Sequence, residues 1–147
     1  MASLFICCCC WRRVLWGLHY RLTMHGEQVS RGAQAAVATI ESEGDIEAAI
    51  AEIVANKRVS KARHPAMYAW RLPTGAAGHA DGGESGSGKR LLALLQKQGR
   101  EGVLVAVTRW YGGSPLGPAR FRAIISAAKD GCEQADRLAA RYSCGPA

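Results

Sequence analysis

Val103-Leu104-Val105-Ala106-Val107 constrains the fold more than any other stretch of this chain. Five consecutive apolar residues between Gly102 and Thr108 read as a buried strand, and a buried strand needs neighbours in a sheet and a layer packed on it. The surrounding patterns supply both. Ala35 to Ile40 is short, partly β-branched and bounded by polar residues, a first strand. Ser42-Glu43-Gly44-Asp45 carries helix-capping chemistry, and Ile46, Ile50, Ile53 and Val54 follow on one helical face to about Lys57. Met67 to Leu72, aromatic-rich behind Pro65, is a second strand. Residues 73 to 88 are mostly loop, with a short third strand near His79 to Glu84. Ser87-Gly88 opens a second helix, lined by Leu91, Leu92, Leu94 and Leu95 and stopped by Gly99. Pro118 suits the first turn of a third helix, on which Phe121, Ile124, Ile125 and Ala128 share a face. That pattern resumes after Gly131 over Cys132 to Tyr142. The order predicts an α/β (α+β) two-layer sandwich, an open sheet of about four strands with helices on one face.

The formal charge of +7 is divided unevenly. Residues 27 to 55 carry six acids against one base, and residues 56 to 147 carry fifteen bases against six acids. A basic surface of this kind attracts RNA, a ribosome or an acidic protein, or is a solvated face. The densest basic cluster, Lys57, Arg58, Lys61 and Arg63, reads first as a solvated approach to a strand and second as a partner or RNA contact. Four of the six cysteines are adjacent, Cys7 to Cys10, and Cys132 and Cys144 lie far away. This fits neither a disulfide framework nor a zinc module, and points to a reducing compartment.

Residues 1–26 contain three arginines and no acid. Their apolar run, Leu4 to Trp11, is too short to span a bilayer. Arg12 and Arg13 follow that run, whereas a secretory signal places its charge before it. The cysteines also suit S-palmitoylation. The stretch is set apart as a disordered extension, a presequence, or an annotation artefact with Met24 the true start. Residues 27–147 then form a single domain, long enough for a core without staples.

Gly83, Gly88 and Lys89 sit at the spacing of a phosphate-binding loop. Such a loop needs a hydroxyl after the lysine to hold Mg²⁺, and Arg90 stands there. It also needs a buried strand leading into it, and residues 72 to 81 read as loop. Nucleotide hydrolysis is therefore disfavoured. Around Ser85, Ser87 fills the second glycine position of a nucleophile elbow.

Three stretches, in this order and spacing, resemble the IMPACT family, the Impact N-terminal domain. They are Lys61-Ala62-Arg63-His64 leading to Tyr68-Ala69-Trp70-Arg71; Asp81-Gly82-Gly83-Glu84 before the leucine-rich helix; and Val103 to Arg109, Trp110, Tyr111, Gly112 and Gly113, then Leu116-Gly117-Pro118 and Arg120-Phe121. The resemblance covers about residues 34 to 130. The chain departs from it at Gly82, where the family commonly has a second Asp. It departs again at Pro65 in place of Asn, and by one extra residue between His64 and Ala69. The resemblance implies a fold like the second domain of a small-subunit ribosomal protein. It also implies the role of the eukaryotic members, cytoplasmic translational regulators. Those members bind the ribosome-associated activator of the amino-acid-starvation kinase and so restrain phosphorylation of the initiation factor. They often carry an RWD domain as well, for which this chain has no room.

The motif residues admit physical readings of their own. Arg109 offers a bidentate contact to a carboxylate or phosphate, or an internal pair with Asp81 or Glu84 that pins two loops together. Of Trp110 and Tyr111, one belongs to the core and the other is an exposed anchor. Gly112, Gly113 and Gly117 serve the backbone, and Gly83 belongs to the acidic loop motif. Asp81 and Glu84 cap the loop rather than hold a metal. His64, with no nucleophile nearby, is a structural hydrogen-bonder before it is an acid or base. Arg120 belongs to the same motif surface. We expect a non-catalytic protein without cofactor or metal site, in the cytoplasm and not at a membrane, with the kinase activator as partner. The alternative is an RNA- or ribosome-binding protein of the same fold, and the third reading is an enzyme.

Overall fold

The computed structural model describes residues 21–24, 32–110 and 117–143. Its elements are β1 (Arg21–Met24), β2 (Ala33–Thr39), α1 (Glu43–Ala55), α2 (Lys57–Ser60), β3 (His64–Arg71), β4 (Ala77–Ala80), α3 (Ser87–Lys97), β5 (Val103–Arg109) and α4 (Ala119–Ser143). The strands form one sheet in the order β1-β2-β5-β3-β4, and every neighbouring pair is antiparallel.

The apolar run is the central strand. β5 is hydrogen-bonded to β2 on one side and β3 on the other, and its side chains alternate between two cores. Val105 and Val107 join Val37, Met67, Leu91, Leu95, Ile124 and Cys132 beneath α3 and α4. Leu104 and Ala106 join Ala38, Ile40, Ile46 and Ile53 beneath α1 and α2. Burial on both faces is why β5 shows no apolar–polar alternation. The α+β class and the open antiparallel sheet are as the sequence predicts, but two particulars differ. Helices lie on both faces rather than one, because the alanines of β2 leave room for a helix on either side. The sheet has five described strands rather than about four. The added edge strand, β1, comes from the stretch set apart at 1–26.

Other elements follow their local signals. Asp45 accepts hydrogen bonds from the Glu41 and Ser42 N–H groups at 2.9 and 3.0 Å, which starts α1. Gly99, at φ +62°, ends the α3 turn. β4 falls at Ala77–Ala80, slightly ahead of the predicted third strand. The two predicted segments after Pro118 are one helix, continuous through Gly131. A Cβ on Gly131 would stand 2.9 Å from the Ala35 Cβ, so glycine lets α4 settle directly onto β2. Gly131→Val should lower stability by about 1–3 kcal/mol through overpacking, seen as an earlier midpoint in urea unfolding. An unchanged midpoint would mean that α4 does not rest on β2 there.

Candidate functional site

The site begins at an irregularity in β3. His64 pairs with Arg109, and Met67 pairs with Val107, so β3 carries one residue more than β5 over this interval. Such a β-bulge resets which face the following residues take. In unbroken register Pro65 would oppose Arg109; the bulge places His64 there instead. The Thr108 hydroxyl donates to the Pro65 carbonyl at 2.7 Å, satisfying backbone left over at the bulge. The stretch where the sequence departs from the resemblance by one residue, His64 to Ala69, contains this irregularity.

The loop from β4 to α3 supplies the acids. The Asp81 carboxylate accepts from Gly86 N–H at 3.0 Å and Gly88 N–H at 2.9 Å. The Ser87 hydroxyl donates to the Asp81 carbonyl at 3.1 Å. The Gly86 N–H, then the Gly88 N–H, hold the Asp81 carboxyl below its ordinary range. The helix N–H groups that a nucleotide loop would offer a phosphate are thus turned to the chain's own carboxylate. Gly82 is at φ +56°, and a Cβ there would collide with the Ala66 carbonyl. The second Asp common in the family has no room in this loop.

With the loop fixed, Glu84 reaches under α4. It is 7% exposed, and its Oε2 accepts from the Arg109 Nη1 at 2.8 Å. Arg120 Nε lies 2.9 Å from Glu84 Oε1. That N–H is not aligned as a hydrogen bond, so the contact is an ion pair only. His64 Nε2 lies 3.5 Å from Oε2, and its Nδ1 lies 3.3 Å from the Gly82 carbonyl oxygen. Arg109 is itself 6% exposed, and its Nε has no acceptor among the described residues. Two guanidiniums on one carboxylate leave the node with net positive charge.

Around the node lies a basic and aromatic surface. His64 and Gly83 border an open depression of about 630 Å³, together with Lys61, Arg63 and Trp110. The Trp110 indole N–H donates to the Arg58 carbonyl at 3.1 Å, and the Arg58 guanidinium lies 5.8 Å from the ring centre. Arg90 and Arg120, the latter also paired with Glu84, lie 4.2 and 4.8 Å from the ring centre of Phe121.

The structure therefore gathers His64, Glu84, Arg109 and Arg120 by direct contact, with Gly83 and Trp110 at the rim. Of the two partners considered for Arg109, Glu84 takes the role, and Asp81 caps the loop. Gly117, at φ +52°, sits two residues before α4. Tyr111, Gly112, Gly113 and Leu116 lie outside the described residues. Sequence reasoning missed the Arg90–Phe121–Arg120 stack. Phe121 sits on the apolar stripe of α4, and only packing shows that its ring also meets two cations. Among the described residues no group of three or more His, Cys, Asp or Glu is placed to hold a metal, and no helix is long and apolar enough to cross a membrane.

The Impact N-terminal domain profile matches residues 33–132. The chain belongs to the Impact N-terminal domain family. An IMPACT family member of Saccharomyces cerevisiae is 35% identical, over 65% of this chain and 79% of that protein. The IMPACT protein of Xenopus laevis is 34% identical over 73% of this chain but only 36% of its own length. The chain thus spans most of the yeast relative and about a third of the vertebrate one. A crystal structure of a hypothetical protein shares the fold, with a TM-score of 0.57 and 23% identity over 80% of this chain and 57% of its own.

Two outcomes test this geometry. Glu84→Ala strands the buried Arg109 charge and should cost about 3–5 kcal/mol, whereas Glu84→Leu with Arg109→Met should recover most of that; urea unfolding of both separates the cases, and equal losses would contradict the pairing. Asp81 has a depressed carboxyl pKa, so its stabilisation is complete above the ordinary aspartate value of 3.8 and is lost as pH falls through the lower folded value. Asp81→Asn should accordingly flatten the fall in melting temperature below about pH 4. A variant with the wild-type acid slope would show that the carboxylate does not cap α3.

Proposed function

We propose that this chain is a non-catalytic binding module of translational control, docking a protein partner on the face built around Glu84. The observation that carries this reading is the burial of the Glu84–Arg109 pair beside exposed cations and aromatic rings. Asp81 is committed to the α3 N-terminus and Glu84 to two arginines, so both loop acids have structural partners. What they support is a stiff, positively charged surface with Phe121 beneath Arg90 and Arg120. Fixed arginines stacked on aromatic rings suit protein recognition, because they keep their donors outward and lose little freedom on binding. Membership of the Impact N-terminal domain family supports the same reading.

The partner is the ribosome-associated activator of the amino-acid-starvation kinase, in the cytoplasm, as the family resemblance implies. Competition for that activator would restrain phosphorylation of the initiation factor. Affinity capture with the full chain is expected to recover the activator. Arg90→Glu, at an exposed position, should reduce recovery on the order of tenfold by reversing a charge at the interface. Absence of the activator from wild-type captures, in parallel with its recovery by an RWD-bearing relative, would overturn the reading.

A further inference from the structure

We propose that the depression bordered by Lys61, Arg63, His64, Gly83 and Trp110 is a binding site for single-stranded RNA. It takes one nucleotide, with the phosphate on Lys61 and Arg63 and the base on Trp110. This goes beyond the protein-docking reading, whose contacts are argued from Phe121 with Arg90 and Arg120.

The chemistry of the lining selects this ligand. Lys61 and Arg63 are exposed cations two residues apart on the approach to β3. Trp110 is partly exposed, and its ring is fixed by the N–H bond to the Arg58 carbonyl. The Arg58 guanidinium over that ring adds a further cation beside the site. Gly83, at φ +89°, contributes backbone and no side chain, and a Cβ there would stand 3.2 Å from the His64 ring. A cationic track combined with a held aromatic ring is how proteins take single strands without reading sequence, the phosphates meeting the charges and each base its π-face. A groove for a peptide helix is lined with aliphatic side chains, and among the described residues none lines this depression.

The charge balance of the site points the same way. Glu84, 3.5 Å from His64 at the rim, is neutralised by Arg109 and Arg120. The exposed acids Glu43 and Glu47 lie in the first half of α1, which starts beyond Thr39 at the Val103 end of the sheet, away from the Arg109 end that carries the depression. A polyanion is therefore repelled from α1 and drawn to the end that carries the depression.

The test is fluorescence anisotropy of a labelled oligouridylate with the full chain across a salt series. Wild-type affinity should fall as salt rises. Lys61→Gln with Arg63→Gln should flatten the log–log salt slope by about 1.4, roughly 0.7 for each phosphate contact removed from a single strand. Trp110→Leu should weaken binding roughly five- to a hundredfold, while Trp110→Phe, which keeps a π-face, retains most of it. Circular dichroism of each variant controls for folding, and the glutamine pair lies on the surface. Arg90→Glu, which is expected to impair activator capture, should keep oligouridylate binding, so the two readings fail separately. No binding at low salt, an unchanged slope in the glutamine pair, or tighter binding of an oligoglutamate peptide would overturn the proposal.

Discussion

Glu84 sits in a nearly dry environment between Arg109 of β5 and Arg120 of α4, with His64 of β3 beside it. Taking a carboxylate and a guanidinium out of water is expensive, and their attraction offsets that only when the geometry is good. Here the geometry is imposed from outside the pair. Asp81 folds the β4–α3 loop by capping α3, and the bulge in β3 brings His64 to the strand end. The ion pair then ties the β4–α3 loop to the end of β5 and the start of α4, beside the apolar core that α3, β5 and α4 share. Its contribution is placement of the loop more than net stability.

That placement organises the charge of the molecule. The acidic segment of the sequence becomes α1, on one face of the sheet, and the basic segment supplies the sheet end and the loop above it. Two aromatic rings, Trp110 and Phe121, flank the node, each under at least one arginine. The glycine-rich loop that imitates a nucleotide loop is the hinge of the arrangement, since Gly82 alone fits against the Ala66 carbonyl.

Much of this was legible in the sequence where the signal was local. The buried β5, the leucine face of α3, its stop at Gly99 and the apolar phase of α4 each depend on a few consecutive residues, and each stands where the pattern puts it. What was not legible depended on distance. The alanines of β2 are small enough for either face, so periodicity alone could not show that α1 lies opposite α3 and α4. Asp81 and Glu84 are three apart in one loop, and only the turn, closed by Glu84 N–H to the Asp81 carbonyl at 2.9 Å, decides which one Arg109 meets. The departure between His64 and Ala69 was visible in the sequence, but that β3 bulges there and sets His64 opposite Arg109 needed the register of β5.

The central claim is that Glu84 couples the β4–α3 loop, the β5 end and the start of α4 into one rigid unit. Amide hydrogen exchange of wild type and Glu84→Gln measures this most directly. The account predicts faster exchange in the variant at Gly86, Gly88, Trp110 and Phe121 together, with α1 unchanged. Faster exchange confined to the loop, with Trp110 and Phe121 as protected as in wild type, would contradict it.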